Sequence, residues 1–194
     1  MAITTRTGCS IGTFTREWSK LADGSLLVSL VLDLDKELPR LARVGVSCRI
    51  PATYEQVEWY GRGPHEAYPD RKAGAPLGKY SLPIAQLEVP YIVPQEQGTR
   101  IDIRWLRLAG AQATPIKIEA EIPFLCSVVR HEDSAVWRAR HTCELDDTTS
   151  DGGYWILNLD LAQRGVGTAS CGPDTLPRYE VSGGRYENTF HCIF

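Results

Sequence analysis

The feature that most constrains the fold is a strict alternation of apolar and other side chains over residues 116–124. Ile116, Ile118, Ala120, Ile122 and Phe124 occupy every second position, and Lys, Glu or Pro occupies the positions between them. Successive side chains of a β-strand point to opposite faces of a sheet. The pattern therefore predicts a strand with one face against the core and the other in solvent.

Segments with strand character recur along the whole chain. At the chain end, the alternate residues of 186–194, including Tyr186, Phe190 and Cys192, fall on one side of an extended segment. Further strands are predicted at residues 25–35, 44–50, 101–108, 134–142, 154–161 and 178–181. Only residues 83–87 have helical character, enough for one turn. The chain is therefore predicted to be all-β, and so many antiparallel strands on one core favour a large sandwich or a closed barrel.

Length and charge limit the classes of function. The 194 residues are enough for a single domain over residues 1–194, or for two small domains that share a core. A net charge of −3 gives no electrostatic reason to expect nucleic acid or an anionic membrane as a partner. No apolar run approaches the length that spans a bilayer, and the N-terminus lacks the pattern of a secretion signal.

The six cysteines, at positions 9, 48, 126, 143, 171 and 192, do not have the spacing of a zinc site. Single thiols spread along strand-like segments are typical of a reducing compartment. We therefore expect a cytoplasmic protein, with no metal or other cofactor in this part of the chain. The polar, glycine-rich residues 146–153 predict an exposed hairpin loop.

Residues 57–71 (VEWYGRGPHEAYPDR) hold the densest group of reactive side chains. The segment begins as a strand, and Gly61, Gly63 and Pro64 then force an irregular path. The loop that follows carries His65 and four further polar residues: Glu66, Tyr68, Asp70 and Arg71. Such a loop is either a ligand site or a hydrogen-bonded structural unit. If the four residues form one unit, the neighbouring aromatic side chains and prolines predict that the unit is buried.

Several blocks of sequence resemble the C-terminal, "small chain" domain of the large bacterial-type β-galactosidases of glycoside hydrolase family 2. The first block is WYGRGPHEAYPDR in the loop just described. Others follow in the family's order: LPR at 38–40, PYIVPQEQGTR at 90–100, DIRWLRL at 102–108, LNLDLAQRGV at 157–166 and GTASCGPDTLP at 167–177. The resemblance covers almost the whole chain and implies the antiparallel supersandwich of galactose mutarotase-like proteins.

The same resemblance implies a role in hydrolysis of terminal β-D-galactosides such as lactose. In the family the catalytic carboxylates lie on a (β/α)₈ barrel, which takes about 250 residues of alternating strand and helix. This sequence has neither that length nor that pattern, so no catalytic residue is expected in it and the chain alone is expected to be inactive. Its expected partners are a β-galactoside or galactose and the catalytic barrel and other domains of the same enzyme. A homo-oligomer of the full enzyme is a further expectation.

The candidate substrate contacts are Glu66, Tyr68, Asp70 and Arg71, together with Glu96 and Cys171. Cys171 stands where the family has a tryptophan that contacts the sugar, and a thiol offers little stacking area. The other carboxylate in a promising loop is Asp102. The chain has five tryptophans, and most of them are predicted to be in the core. They are Trp18, Trp59, Trp105, Trp137 and Trp155.

Arginines interrupt the apolar strand predicted at residues 101–108. Arg104 is predicted to share a face with Asp102, Leu106 and Leu108. Arg107 is predicted to lie on the other face, with Ile101, Ile103 and Trp105. Buried ion pairs from these arginines and from Arg100 to loop carboxylates such as Glu66 or Glu96 are expected.

Two other functions stay open on the residues alone. One is a stand-alone enzyme of the aldose 1-epimerase type, which needs a histidine acid and a carboxylate base. The histidines available for that role are His65, His131, His141 and His191. The other is a non-catalytic carbohydrate-binding module.

Overall fold

A computed structural model describes residues 1–5, 7–145, 153–168 and 172–194, and ten β-strands account for most of them. The strands are β1 (Ala2–Thr4), β2 (Ser10–Lys20), β3 (Leu26–Leu34), β4 (Arg43–Pro51), β5 (Gln56–Arg62), β6 (Leu77–Pro83), β7 (Arg100–Gly110), β8 (Ala113–Val129), β9 (Tyr154–Gln163) and β10 (Arg185–Ile193). All pair in the antiparallel sense. The predicted all-β class is confirmed.

Helical structure in the described residues is limited to short pieces. They are α1 (Asp133–Arg138) and the single 3₁₀ turns Ile84–Gln86, Thr142–Glu144 and Pro177–Tyr179. The turn predicted at residues 83–87 is confirmed. No helix in the described part of the chain has the length and apolar character needed to cross a membrane.

Two predicted strands are wrong, because neither segment has a neighbouring strand along its length. Residues 134–142 instead contain most of α1, whose Trp137 is 90% exposed, so their apolar side chains are not sheet-facing. Residues 178–181 begin inside the 3₁₀ turn Pro177–Tyr179 and make a single isolated bridge, between Val181 and Leu41. The sequence pattern also missed β1, β2 and β6, whose many exposed positions weaken the alternation.

The sheet is organised around β8, the longest strand. One path of neighbours runs β1-β2-β3-β10-β8-β7-β5-β6, and β9 with β4 branches from β8. Residues 117–120 of β8 pair with β10, whereas residues 125–129 pair with β9. One strand therefore contributes to two sets of neighbours, and the β4–β9 pair is placed against the long path.

The change of neighbours along β8 coincides with a bulge. On β7, Ile103 and Trp105 are two residues apart, but their partners on β8 are Phe124 and Glu119, five residues apart. Ile122 lies in the extra length and is 53% exposed, so the prediction that it faces the core is wrong. The Asn188 amide bonds both the N–H (3.2 Å) and the C=O (2.8 Å) of Ile122 and so satisfies backbone groups that leave the ladder.

The main core is shared by the long path and the β4–β9 pair, as expected for two packed layers. Phe190 of β10 packs edge-to-face on Phe124 with ring centroids 5.2 Å apart. Trp59 and Trp155 are buried in this core, as predicted, whereas Trp18 is 67% exposed and Trp137 is exposed too. The predicted sandwich is confirmed, and its galactose mutarotase-like type stays a prediction.

A second irregularity changes the faces of β7. Asp102 has a positive φ of 56°, and the register with β8 shifts around it, between Arg100 and Ile103, in addition to the shift between Ile103 and Trp105. As a result Ile103, Leu106 and Leu108 all reach the main core. The prediction that Ile103 lies on the face opposite to Leu106 and Leu108 is therefore wrong.

Candidate functional site

The candidate site is the loop between β5 and β6. Backbone hydrogen bonds fix this loop in two places. Tyr68 and Arg71 exchange backbone hydrogen bonds of 3.1 and 2.9 Å, which close a tight turn over residues 68–71. The N–H of Ala67 donates to the C=O of Thr99 at 2.8 Å. The loop is thereby fixed to the segment that leads into β7.

Glu66 is the acceptor at the centre of the loop, and its side chain is only 9% exposed. One carboxylate oxygen accepts from the Arg71 guanidinium and the Tyr91 hydroxyl. The other accepts from the N–H of Gly98 at 2.9 Å and lies 3.5 Å from the Tyr68 hydroxyl. A carboxylate with so many protein donors is well suited to hold residues 91–98 against the loop, and poorly suited to act as a free base.

Tyr68 links this carboxylate to a second one. Its side chain is fully buried, and its hydroxyl donates to Glu96 at 3.3 Å. Burial, with the negative charges of Glu96 and Glu66, raises the pKa of Tyr68, so the phenol stays a neutral donor. Glu96 also accepts from the Thr99 hydroxyl at 2.8 Å.

Arg71 is more open than the sequence predicts. Its side chain is 51% exposed, and its guanidinium lies 5.1 Å from the ring centroid of Tyr68. The prediction of a fully buried unit is therefore correct for Glu66 and Tyr68 and wrong for Arg71. His65, Glu66 and Arg71 line an open depression with Gly74 and Ala75, and this is the surface of the loop that a ligand can reach.

Asp70 does not belong to the same hydrogen-bonded unit. Its carboxylate accepts from the N–H groups of Val166 (3.1 Å) and Gly167 (2.7 Å) and from the Thr175 hydroxyl (2.8 Å). A Cβ on Gly165 would lie 2.5 Å from this carboxyl group, so the close approach requires glycine there. The predicted unit of four residues is therefore divided, and Asp70 fixes the segment after β9 instead.

Burial alone would raise the pKa of Asp70, but the three donors outweigh it. The N–H of Gly167, the hydroxyl of Thr175 and the N–H of Val166 together hold the pKa of Asp70 below its usual value. Asp70 therefore stays an acceptor down to low pH. Cys171 lies outside the described residues, as does most of the loop predicted at 146–153.

The arginines of β7 differ from their predicted roles. Arg100 is 6% exposed and donates to three carbonyl oxygens, those of Leu87 (2.8 Å), Gly98 (2.7 Å) and Pro64 (3.0 Å). Burial lowers the pKa of Arg100 to about 10. Its hydrogen bonds within the described residues thus go to the backbone, which fixes the loop ends, and the predicted ion pair with a loop carboxylate is wrong.

The other two arginines lie near the surface. Arg104 donates to the C=O of Asp102 at 2.9 Å, and Arg107 lies 3.6 Å from Glu58 in a half-exposed ion pair. Arg62, which the sequence did not single out, donates to the Asp102 carboxylate at 2.6 Å.

A buried ionic cluster next to the site was also missed. Arg43 donates to Asp160 at 2.9 Å and to Asp133 at 3.2 Å, and its Nη1 lies 3.7 Å from Glu96. Asp160 is 2% exposed, and a Cβ on Gly45 would overlap its carboxyl group. Burial raises the pKa of Asp160 to about 7, because the attraction of Arg43 does not offset lost hydration and Glu96 and Asp133 add negative charge. The signal in the sequence was an aspartate within the apolar run LNLDL.

The loop histidine does not have beside it the free carboxylate that an epimerase needs. His65 is exposed beside Glu66, whose oxygens already accept from protein donors. His191 shares a 2.8 Å hydrogen bond with the Ser25 hydroxyl, and His141 is exposed. The carboxylate that follows the loop histidine in the sequence, Glu66, is therefore engaged in holding the fold.

Comparison with known proteins adds a family. Residues 1–192 match the family model for the beta galactosidase small chain. The chain is similar to the beta-galactosidase of Pectobacterium atrosepticum (44% identity over 78% of this chain and 14% of the relative) and to that of Vibrio cholerae serotype O1 (36% over 75% and 13%). It is also similar to beta-galactosidase 2 of Enterobacter cloacae (34% over 89% and 16%). The chain thus spans about one seventh of the length of the curated relatives it matches.

Proposed function

The chain belongs to the beta galactosidase small chain family, and we infer that it supplies the C-terminal part of a β-galactosidase. In that enzyme it completes the wall of the active site for terminal β-D-galactosides, and it has no hydrolytic activity alone. The observation that carries this proposal is the family match over residues 1–192, in a chain that covers only 13–16% of each of the relatives reported. The catalytic carboxylates then belong to the part of the enzyme outside these residues.

The geometry of the loop fits a supporting role in such a wall. Glu66 ties the loop to Tyr91 and Gly98, and Asp70 ties it to Gly167 and Thr175. Three surface segments are thereby held in fixed relative positions by two carboxylates. We propose Tyr68, Asp70 and Glu96 as supports of the wall, and the depression beside Arg71 and Glu66 as its candidate contact with substrate.

The first experiment measures hydrolysis of a chromogenic β-galactoside. The purified chain is expected to give no turnover. When the chain is added to the rest of the enzyme, from which this domain has been deleted, hydrolysis is expected to be restored. The Asp70→Ala variant, in which the segment after β9 is released, should restore less hydrolysis than the parent chain in the same mixture. Turnover by the pure chain that disappears in a Glu66→Gln variant would refute the proposal.

The second experiment separates this proposal from an epimerase. Polarimetry on freshly dissolved α-galactose should give the uncatalysed rate of anomer interconversion in the presence of the chain. The physical reason is that the carboxylate beside His65 is engaged with Arg71, Tyr91 and Gly98. A rate that grows in proportion to chain concentration, and that falls in His65→Gln, would favour the epimerase instead.

We further propose a cytoplasmic location. The five cysteines in the described residues carry free thiols: Cys9, Cys48, Cys126, Cys143 and Cys192. Free thiols on exposed positions such as Cys9 and Cys48 are typical of a reducing compartment. Fractionation of the native cells, with immunodetection of the enzyme, tests this location.

A further inference from the structure

Strand β2 has an open edge over half of its length. β1 pairs with β2 only through the residues opposite Ser10, Gly12 and Thr13, and the contact ends at Phe14, which exchanges hydrogen bonds of 2.8 and 2.9 Å with Met1. β2 continues to Lys20, and among the described strands it pairs there only with β3. An edge of this kind presents a row of backbone donors and acceptors.

The direction of these backbone groups follows from Phe14. Both its N–H and its C=O bond Met1, on the side away from β3. In a strand the backbone groups of alternate residues point to the same side. The N–H and C=O groups of Arg16, Trp18 and Lys20 therefore point to the open edge, whereas those of Thr15, Glu17 and Ser19 point to β3.

The side chains at this edge lie on the core-facing side of the sheet. Trp18 is opposite Val28 on β3, and Val28 is opposite Phe190 on β10. Directly opposite residues of antiparallel strands share a face, so Trp18 shares the face of Phe190. Phe190 is 1% exposed and Trp18 is 67% exposed. Phe14 of β2 still packs against the core, but the covering does not reach Trp18 further along the strand.

We propose that the open edge of β2 accepts one more β-strand, contributed by a segment of the same enzyme outside these 194 residues. The segment runs in line with β1, antiparallel to β2, and covers Trp18. This inference rests on the proposed function, which makes the chain about one seventh of a larger enzyme. Trp18 calls for an apolar residue opposite it, and Arg16 and Lys20 for acidic ones, because directly opposite residues interact across the pair.

A second copy of the chain fits this edge less well. A two-fold axis through Glu17 places two glutamates opposite each other, and an axis through Arg16 places two arginines there. An axis through Trp18 sets Arg16 opposite Lys20. Each of these three registers places like charges opposite each other, which destabilises a cross-strand pair.

The test is amide hydrogen exchange, resolved to single residues, in the isolated chain and in the complete enzyme. In the isolated chain the amides of Arg16, Trp18 and Lys20 should exchange freely, while those of Thr15 and Glu17 are protected by β3. In the complete enzyme the first three should exchange at least roughly tenfold more slowly, because each then donates to the added strand.

A matched pair of variants sharpens the test. Trp18→Ser should raise exchange at the edge of β2 in the complete enzyme, and Trp137→Ser, which removes an exposed tryptophan elsewhere, should leave it unchanged. If the complete enzyme hydrolyses β-galactosides while Arg16, Trp18 and Lys20 exchange as in the isolated chain, this inference is wrong and the proposed function stands. Protection that appears in the isolated chain as its concentration rises would identify a second copy as the occupant and also overturn the inference.

Discussion

Asp70 and Asp160 are both placed where burial favours the neutral acid, yet their pKa values shift in opposite directions. Asp70 accepts from two backbone N–H groups and one hydroxyl, and its pKa falls below the usual value despite burial. Asp160 has Arg43 at 2.9 Å but also faces Glu96 and Asp133, and burial raises its pKa to about 7. The difference follows from the balance at each site: three donors outweigh the partial burial of Asp70, whereas nearly complete burial, reinforced by two neighbouring carboxylates, outweighs the attraction of Arg43 at Asp160.

The two carboxylates therefore contribute to stability in opposite pH ranges. The contribution of Asp70 is present above the ordinary aspartate pKa and is lost as pH falls through its lowered folded value. The contribution of Asp160 has the reverse sign, since its folded pKa is raised. It is fully present below the ordinary value of 3.8 and is lost as pH rises through about 7.

The largest expected effect comes from Arg43→Met, which removes the cation beside Asp160. A buried carboxylate without its partner costs about 3 kcal/mol of unfolding free energy at pH 8.5. The cost should be smaller at pH 5.5, because Asp160 then takes up a proton. Urea titrations of the parent and the variant at the two pH values measure the loss of unfolding free energy at each pH.

Arg49 provides the matched control for this variant on the same strand. Its side chain is 60% exposed and pairs with Glu132, itself 46% exposed, so Arg49→Met should change the stability little at either pH. Equal losses for Arg43→Met and Arg49→Met would show that the Asp160 pair is not desolvated in solution.

The next effect is that of Asp70→Ala, which leaves the N–H groups of Val166 and Gly167 without their acceptor. We expect a loss of about 2 kcal/mol at neutral pH, since unmet donors cost about 1–3 kcal/mol. Asp70→Asn keeps one acceptor oxygen and should lose less. Chemical denaturation of the three proteins gives the order, and an Asp70→Ala domain as stable as the parent would mean that the segment after β9 is held by other contacts.

Sequence reasoning found the parts of the molecule that depend on local pattern and missed those that depend on distant partners. The alternation at residues 116–124 predicted a strand, but the bulge that exposes Ile122 arises from the unequal spacing of its partners on β7. The loop of Glu66 and Asp70 was identified from composition. That Asp70 bonds residues about one hundred positions away was not visible in any local feature.

The same limit explains the errors at residues 134–142 and at Arg43. The former have the composition of a strand, but they have no strand partner among the described residues, and residues 134–138 are helical. Arg43 reads as an ordinary surface arginine until β9 places Asp160 beside it. Pairing across the sheet, rather than propensity, decided both.

A smaller effect is expected from Asp160→Asn, which tests the raised pKa directly. At pH 5.5 the parent carboxyl group is mostly neutral, and its replacement by an amide should cost about 1 kcal/mol through poorer hydrogen bonding to Arg43. The cost should shrink as pH rises through about 7, because only the parent then holds a buried charge. A difference between the two proteins that does not change between pH 5.5 and 8.5 would contradict the pKa assigned to Asp160.

The smallest effect should come from Arg71→Ala, although Arg71 pairs with a carboxylate as Arg43 does. Glu66 loses its cation in this variant but keeps the Tyr91 hydroxyl and the N–H of Gly98 as donors, so its carboxylate stays hydrogen-bonded. Arg71 itself is 51% exposed, and pairs of that kind contribute about 1 kcal/mol or less. The surface pair Arg185 and Glu187, at 58% and 56% exposure, gives the reference through Arg185→Ala.

Denaturant titration of both variants beside the parent measures this small loss, and kinetics of the reassembled enzyme add what stability does not report. If Arg71 contacts substrate at the depression, Arg71→Ala should raise KM with little change in stability, while Arg185→Ala changes neither. A loss of 3 kcal/mol or more would instead make the Glu66 pair equivalent to the Asp160 pair. In that case the donors that Glu66 keeps after the loss of Arg71 would not explain a difference from Asp160 after the loss of Arg43.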